Sequence, residues 1–249
     1  MPANDIHAVT STNGRSHTAV SALVVMPGTG SDADFVRRAF GAAAARMGVE
    51  LIAVQPEEDL VAGHRRRLDE SADRYGRILV GGISIGAAIA IDWALGADGA
   101  QRCAGVWAAL PAWSGVGDST LAVQSAAATA RALRVDGLEA TIAAMRRSSP
   151  AWLGAELTRS WRALYPGLVG QLEQAARYRA PTVDDIAHLA VPLAITAAAD
   201  DPLHPLEVAE QWCAAAPEAH LVHVGLHEWG QDPSVLGRSC ARAWGELVR

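Results

Sequence analysis

The pentapeptide Gly82-Ile83-Ser84-Ile85-Gly86 constrains this chain more than any other feature. The apolar run Arg77-Ile78-Leu79-Val80-Gly81 before it reads as a short buried strand. Gly86 to Leu95 after it is apolar nearly all round and reads as a buried helix. A serine on a tight strand-to-helix turn projects its hydroxyl beyond the carboxyl end of a sheet. Glycine is needed on both flanks because a Cβ at either position would crowd the turn.

The rest of the chain supplies strands and helices in alternation. Asn13-Gly14 is a two-residue turn signal and predicts a hairpin from Ile6 to Val20. Ala22 to Met26 reads as a continuous apolar strand, followed by the loop Pro27-Gly28-Thr29-Gly30-Ser31. Ser31 or Asp32 can cap a helix from Ala33 to Met47, where Phe35, Val36, Ala39, Phe40 and Ala43 recur at helical spacing. Strands are expected at Leu51 to Val54 and Ala104 to Leu110, with a polar-faced helix from Val61 to Tyr75 between the first and the serine turn. This order predicts a mostly parallel, doubly wound sheet. From Ser114 to Ala180 no strand pattern appears. Helices are expected over Ser119 to Val135, Leu138 to Arg147 and Ala151 to Tyr178, the last with a stripe of Leu157, Trp161, Leu164, Leu168 and Leu172. Thr182 can cap a short helix ending near Leu189. Strands resume at Val191 to Ala198 and His220 to Val224, and a helix from Pro233 to Val248 follows.

On its G-x-S-x-G turn in strand-turn-helix context, the chain resembles the α/β-hydrolase family. That resemblance implies an α/β-hydrolase fold with a core of residues 1–113 and 181–249 and a helical cap of residues 114–180 roofing the active site; a separate helical domain is the alternative. It also implies an order of nucleophile, acid and histidine along the chain. A serine hydroxyl needs a base within reach, and the base needs a third group to fix its tautomer. Ser84 is then the nucleophile. Asp200-Asp201-Pro202-Leu203-His204-Pro205 resembles the family's acid loop, with Asp201 as the acid and Asp200 as the alternative. Gly225-Leu226-His227 matches the family's Gly-x-His, which makes His227 the base. His223 is the alternative, and His204 reads as a loop residue. Oxyanion donors are implied at the N–H of Ile85 and, from the first strand's loop, of Thr29. Where the family commonly has His-Gly, this chain has Pro27-Gly28, which leaves the backbone donor intact. Gly28 and Trp113 are the expected substrate contacts. Trp152 lies in the cap, and Trp161, on its leucine stripe, is expected to pack within it.

Composition narrows the partners. Half of the 249 residues are hydrophobic and the net charge is −6. No Lys/Arg cluster lies among aromatic residues, which argues against nucleic acid. His64-Arg65-Arg66-Arg67 is interleaved with acidic neighbours and reads as a solvated helix face. Cys103, Cys213 and Cys240 are dispersed, with no C-x-x-C pair, so neither a zinc site nor a disulfide framework is expected and a reducing cytoplasmic setting is. No signal peptide and no membrane span are expected. The expected activity is hydrolysis of a small to medium apolar ester, thioester or lactone through an acyl-enzyme, without cofactor or metal. Acyl transfer with the same triad, or ligand binding without turnover, are the alternatives.

Overall fold

The computed structural model describes residues 20–249. The expected N-terminal hairpin lies almost wholly outside the described residues. The chain runs β1 (Ala22–Met26), α1 (Ala33–Met47), β2 (Glu50–Ala53), α2 (Leu60–Tyr75), β3 (Ile78–Ile83), α3 (Ile85–Leu95), α4 (Ala97–Arg102), β4 (Cys103–Ala109). Four helices follow: α5 (Leu121–Val135), α6 (Gly137–Ser148), α7 (Ala151–Leu164) and α8 (Leu168–Arg177). The chain ends with α9 (Val183–Ile186), β5 (Leu193–Ala198), α10 (Leu206–Ala215), β6 (Ala219–Val224), α11 (Leu226–Gln231) and α12 (Ser234–Leu247).

The strands form one six-stranded sheet in the order β2-β1-β3-β4-β5-β6, parallel at every pairing. The central strands are buried on both faces, which is why they read as continuous apolar runs. Their period-two alternation splits them between two cores. Val24, Met26, Val80 and Val106 pack with α2, α3 and α10. Leu23, Val25, Leu79 and Trp107 pack with α1 and α12. Strand order reverses between β1 and β3, and α1 and α3 leave toward opposite faces. A crevice therefore opens beyond the carboxyl ends of these two strands, where ligands bind in open α/β sheets. The loop after β1, the turn after β3 and the loop after β5 all emerge at that edge.

Helices α5 to α8 are inserted between β4 and β5 and hold a small core of their own, including Ala130, Leu133, Ile142, Leu164 and Leu168. The single helix expected over Ala151 to Tyr178 is two, because Pro166 has no N–H to continue the ladder and restricts Tyr165 before it. None of the described helices is long and apolar enough to cross a membrane.

His64 on α2 is 0% exposed, and neither ring nitrogen has a hydrogen-bond partner among the described residues. Burial pulls its pKa down from 6.5 to about 4. The folded state thus keeps His64 neutral where the unfolded chain protonates it. Stability from this site is complete above pH 6.5 and is lost as pH falls from there to about 4, by about 3 kcal/mol at most. His64→Leu is expected to narrow the gap in Tm between pH 7 and pH 4.5. An unchanged gap in thermal melts would show that His64 does not carry this acid sensitivity.

Candidate active site

Ser84 joins β3 to α3 with φ 55° and ψ −117°, a backbone conformation that L-residues rarely adopt. Its N–H donates to the Ala109 carbonyl at 2.9 Å, and its own carbonyl accepts from Ala87 at 3.0 Å. The glycines on either side are there for close approach. A Cβ on Gly82 would come within 2.1 Å of the Gly86 carbonyl carbon, and one on Gly86 within 2.6 Å of the Met26 oxygen. The backbone of α3 can thus press onto the end of β1. The Ser84 hydroxyl makes no hydrogen bond within the described residues and lines a cavity.

The loop after β1 lies against this turn. A Cβ built on Gly28 would sit 3.6 Å from that of Ser84. Gly28 and Thr29 both line the cavity. Ser31 N–H closes a turn onto Gly28 O at 3.0 Å, with Gly30 at φ 76° in the position that needs glycine. The N–H groups of Thr29 and Ile85, the expected oxyanion donors, are engaged by no acceptor among the described residues. Ile85 is fully buried in the first turn of α3, where the helix N-terminus favours negative charge.

Beyond β5 the chain turns sharply. The Asp201 carboxylate accepts from Leu203 N–H at 3.0 Å, an Asx-type turn that folds the next residue back. His204 Nδ1 then meets Asp201 Oδ2 at 2.7 Å. Asp201 is buried; burial works against its charge, but the His204 ring and the backbone donors prevail and hold the carboxyl below its usual range. An ionised Asp201 requires the proton on Nδ1, which leaves the neutral imidazole a lone pair on Nε2. His204 lines the same cavity as Ser84, although no hydrogen bond joins the two.

The structure does not bring His227 to this place. Residues after β6 form α11 rather than a loop: Trp229 N–H donates to the Gly225 carbonyl at 3.1 Å, and the Glu228 carboxylate lies 3.4 Å from the Gly225 N–H. That helix carries His227 into solvent and turns Trp229 inward against the cavity. His223 on β6 is also exposed. Asp200 is exposed and braces the end of β6 by accepting Leu226 N–H at 2.8 Å.

The cavity holds about 200 Å³ and is walled mainly by apolar side chains from α5, α7, α8 and the sheet edge. Trp113 is among them, its Nε1 donating to the Tyr178 carbonyl at 3.3 Å. Trp152 and Trp229 meet edge to face at 5.0 Å. Trp161, expected to pack only within the helical block, also reaches the cavity. So does Leu110, whose φ of 52° no sequence pattern announces.

No family model and no curated protein matches the sequence. Solved structures do match its shape. A hydrolase from Pseudomonas aeruginosa is 19% identical, with 92% of this chain and 91% of that one covered and a TM-score of 0.68. An esterase from Rhodococcus sp. is 16% identical, with 92% of each chain covered and a TM-score of 0.67. MenH from S. aureus is 14% identical, with 92% of this chain and 95% of that one covered and a TM-score of 0.68. The chain has the α/β-hydrolase fold. At these identities the likeness is one of fold. Within an α/β-hydrolase fold, the close contact of Gly86 with β1 is a sensitive point. Gly86→Ala forces backbone apart, and overpacking of this kind costs about 1–3 kcal/mol. A fall in Tm of roughly 3–10 °C is expected in a thermal melt. No change would mean that the turn relaxes freely.

Proposed function

We propose that this protein is a serine hydrolase that cleaves carboxylic esters of a small apolar acyl group through an acyl-enzyme. One observation carries the reading: Ser84, on its strained turn, and His204, whose other ring nitrogen is held by Asp201, line one cavity. Ser84 is the nucleophile, Asp201 the orienting acid and His204, in place of His227, the base. His204 Nε2 takes the Ser84 proton as Oγ attacks the ester carbonyl carbon. Asp201 stabilises the imidazolium formed. The N–H groups of Thr29 and Ile85 receive the oxyanion. Collapse of the tetrahedral intermediate expels the alcohol, which takes the proton from His204. Water, deprotonated by the same nitrogen, then attacks the acyl-enzyme and releases the acid and Ser84. Hydrogen bonds of this kind tighten only once substrate is bound, so the unbonded Ser84 hydroxyl is compatible with the role.

The size of the cavity bears on the acyl group. A dry cavity of roughly 150 Å³ admits benzene, and drug-sized ligands occupy roughly 300–1,000 Å³. At about 200 Å³ the site suits a short-chain or single-ring acyl group, to which Gly28 and Trp113 contribute walls. The three free cysteines suit the reducing cytoplasm.

The test is a panel of p-nitrophenyl esters from acetate to laurate. Hydrolysis is expected to peak at the short end. Ser84→Ala is expected to abolish it, since loss of a triad nucleophile costs on the order of a million-fold in a serine protease. Retention of more than roughly one per cent of wild-type activity would remove Ser84 from the reaction. His204→Ala is expected to lower kcat by about a thousand-fold or more, and His227→Ala by less than about three-fold. The reverse ranking would return the base to His227.

A further inference from the structure

Helix α7 does more than wall the cavity. Ser160, 0% exposed, donates its hydroxyl to the Gly30 carbonyl at 2.7 Å. Its neighbour Arg159 grips the Asp32 carboxylate with two hydrogen bonds, each 2.8 Å. Asp32 in turn caps α1 by accepting Phe35 N–H at 3.1 Å. On the other side, the Trp161 ring lies over Gly30, where a Cβ would come within 2.8 Å of Nε1. Successive residues of one helix thus hold the end of the loop that begins at Pro27.

That loop has little to hold itself. Two of its five residues are glycine, and the buried Ser31 hydroxyl has no partner among the described residues. Glycine costs more entropy to order than any other residue, so a Gly-Thr-Gly turn needs outside anchors to keep one conformation. The turn is closed at its far end by Ser31 N–H, one residue from each anchored group, Gly30 O and Asp32. A shift of this end tilts the whole turn, and with it the Thr29 N–H.

We propose that Ser160 and Arg159 are positioning residues that set the oxyanion hole from the inserted helices, acting through Gly30 and Asp32 on Thr29. The proposal rests on the esterase reading above. The same helix presents Trp152, Leu153 and Leu157 to the cavity. Helix α7 thus walls the acyl site and anchors the oxyanion turn at once.

The positioning role makes a prediction that ordinary packing does not. Removal of one oxyanion donor costs roughly 100- to 1,000-fold in kcat, and misplacement costs less. Ser160→Ala removes one oxygen and keeps a strong helix former, so the fold is expected to survive. With a short-chain p-nitrophenyl ester, kcat is expected to fall about ten-fold or more, with KM within about two-fold of wild type. Affinity for benzeneboronic acid, which forms a tetrahedral adduct on the serine oxygen, is expected to fall with kcat/KM. Affinity for benzoate, a planar product analogue, is expected to stay unchanged. Arg159→Gln should follow the same pattern, and Arg159→Lys should recover part of the loss. A kcat within about two-fold of wild type in both Ser160→Ala and Arg159→Gln would overturn the proposal. A parallel loss of benzoate and boronate binding with a lowered Tm would also overturn it, by showing general loosening. Wild-type turnover that persists in Ser84→Ala, or is absent altogether, would overturn the esterase reading itself and the positioning role with it.

Discussion

Everything in the site hangs on the backbone at Ser84. A non-glycine residue at positive φ costs on the order of 1–3 kcal/mol and persists only where its surroundings over-determine it. Here they do. The Ser84 N–H is tied to the neighbouring strand, its carbonyl is taken by the first turn of α3, and bare glycine backbone is packed at Gly82 and Gly86. The strain is held by contacts among main-chain atoms, which cannot repack as side chains do. Its result is a hydroxyl held at the crevice where the strand order reverses, beside a free N–H at the head of a helix.

The other parts of the site are placed by loops at the same sheet edge, and each is fixed by a local device. The loop after β5 folds back on itself because Asp201 bonds the backbone two residues on, which sets a histidine against its own carboxylate partner within four residues of chain. The loop after β1 is glycine-rich and leans on α7. One side of the site is therefore self-contained, and the other depends on helices inserted some hundred residues further along the chain. Ser84, the Asp201–His204 pair and the glycine turn thus come together at one sheet edge, while α11 after β6 supplies Trp229 to the cavity wall.

The sheet and the serine turn were legible because their signals are local: buried parallel strands are apolar throughout, and only glycine fits where backbones touch. The place of Asp201 was legible for the same reason, since it stands at the end of an apolar strand before a proline; its pairing with His204 is what the structure adds. Which histidine lines the cavity was not. His204, His223 and His227 all lie near one sheet edge in sequence, and choosing among them turns on whether residues after Val224 form a loop or a helix. The structure has a helix there, α11, which leaves His227 exposed and Trp229 buried. A signal was present in Asp-Pro-x-His itself, since an Asx turn brings the residue three positions on beside the carboxylate. The break at Pro166 was readable too, but the regular leucine stripe across it masked the division. The contacts of α7 with Gly30 and Asp32 span well over a hundred residues and leave no local trace.

The central claim is that the strained turn presents an activated serine to the cavity. Incubation of the folded wild-type protein with a small fluorophosphonate, followed by digestion and peptide mass spectrometry, tests it most directly. The account predicts a single adduct on Ser84, formed much more slowly when His204 is alanine. An unlabelled protein, or an adduct on another residue with Ser84 intact, would contradict it.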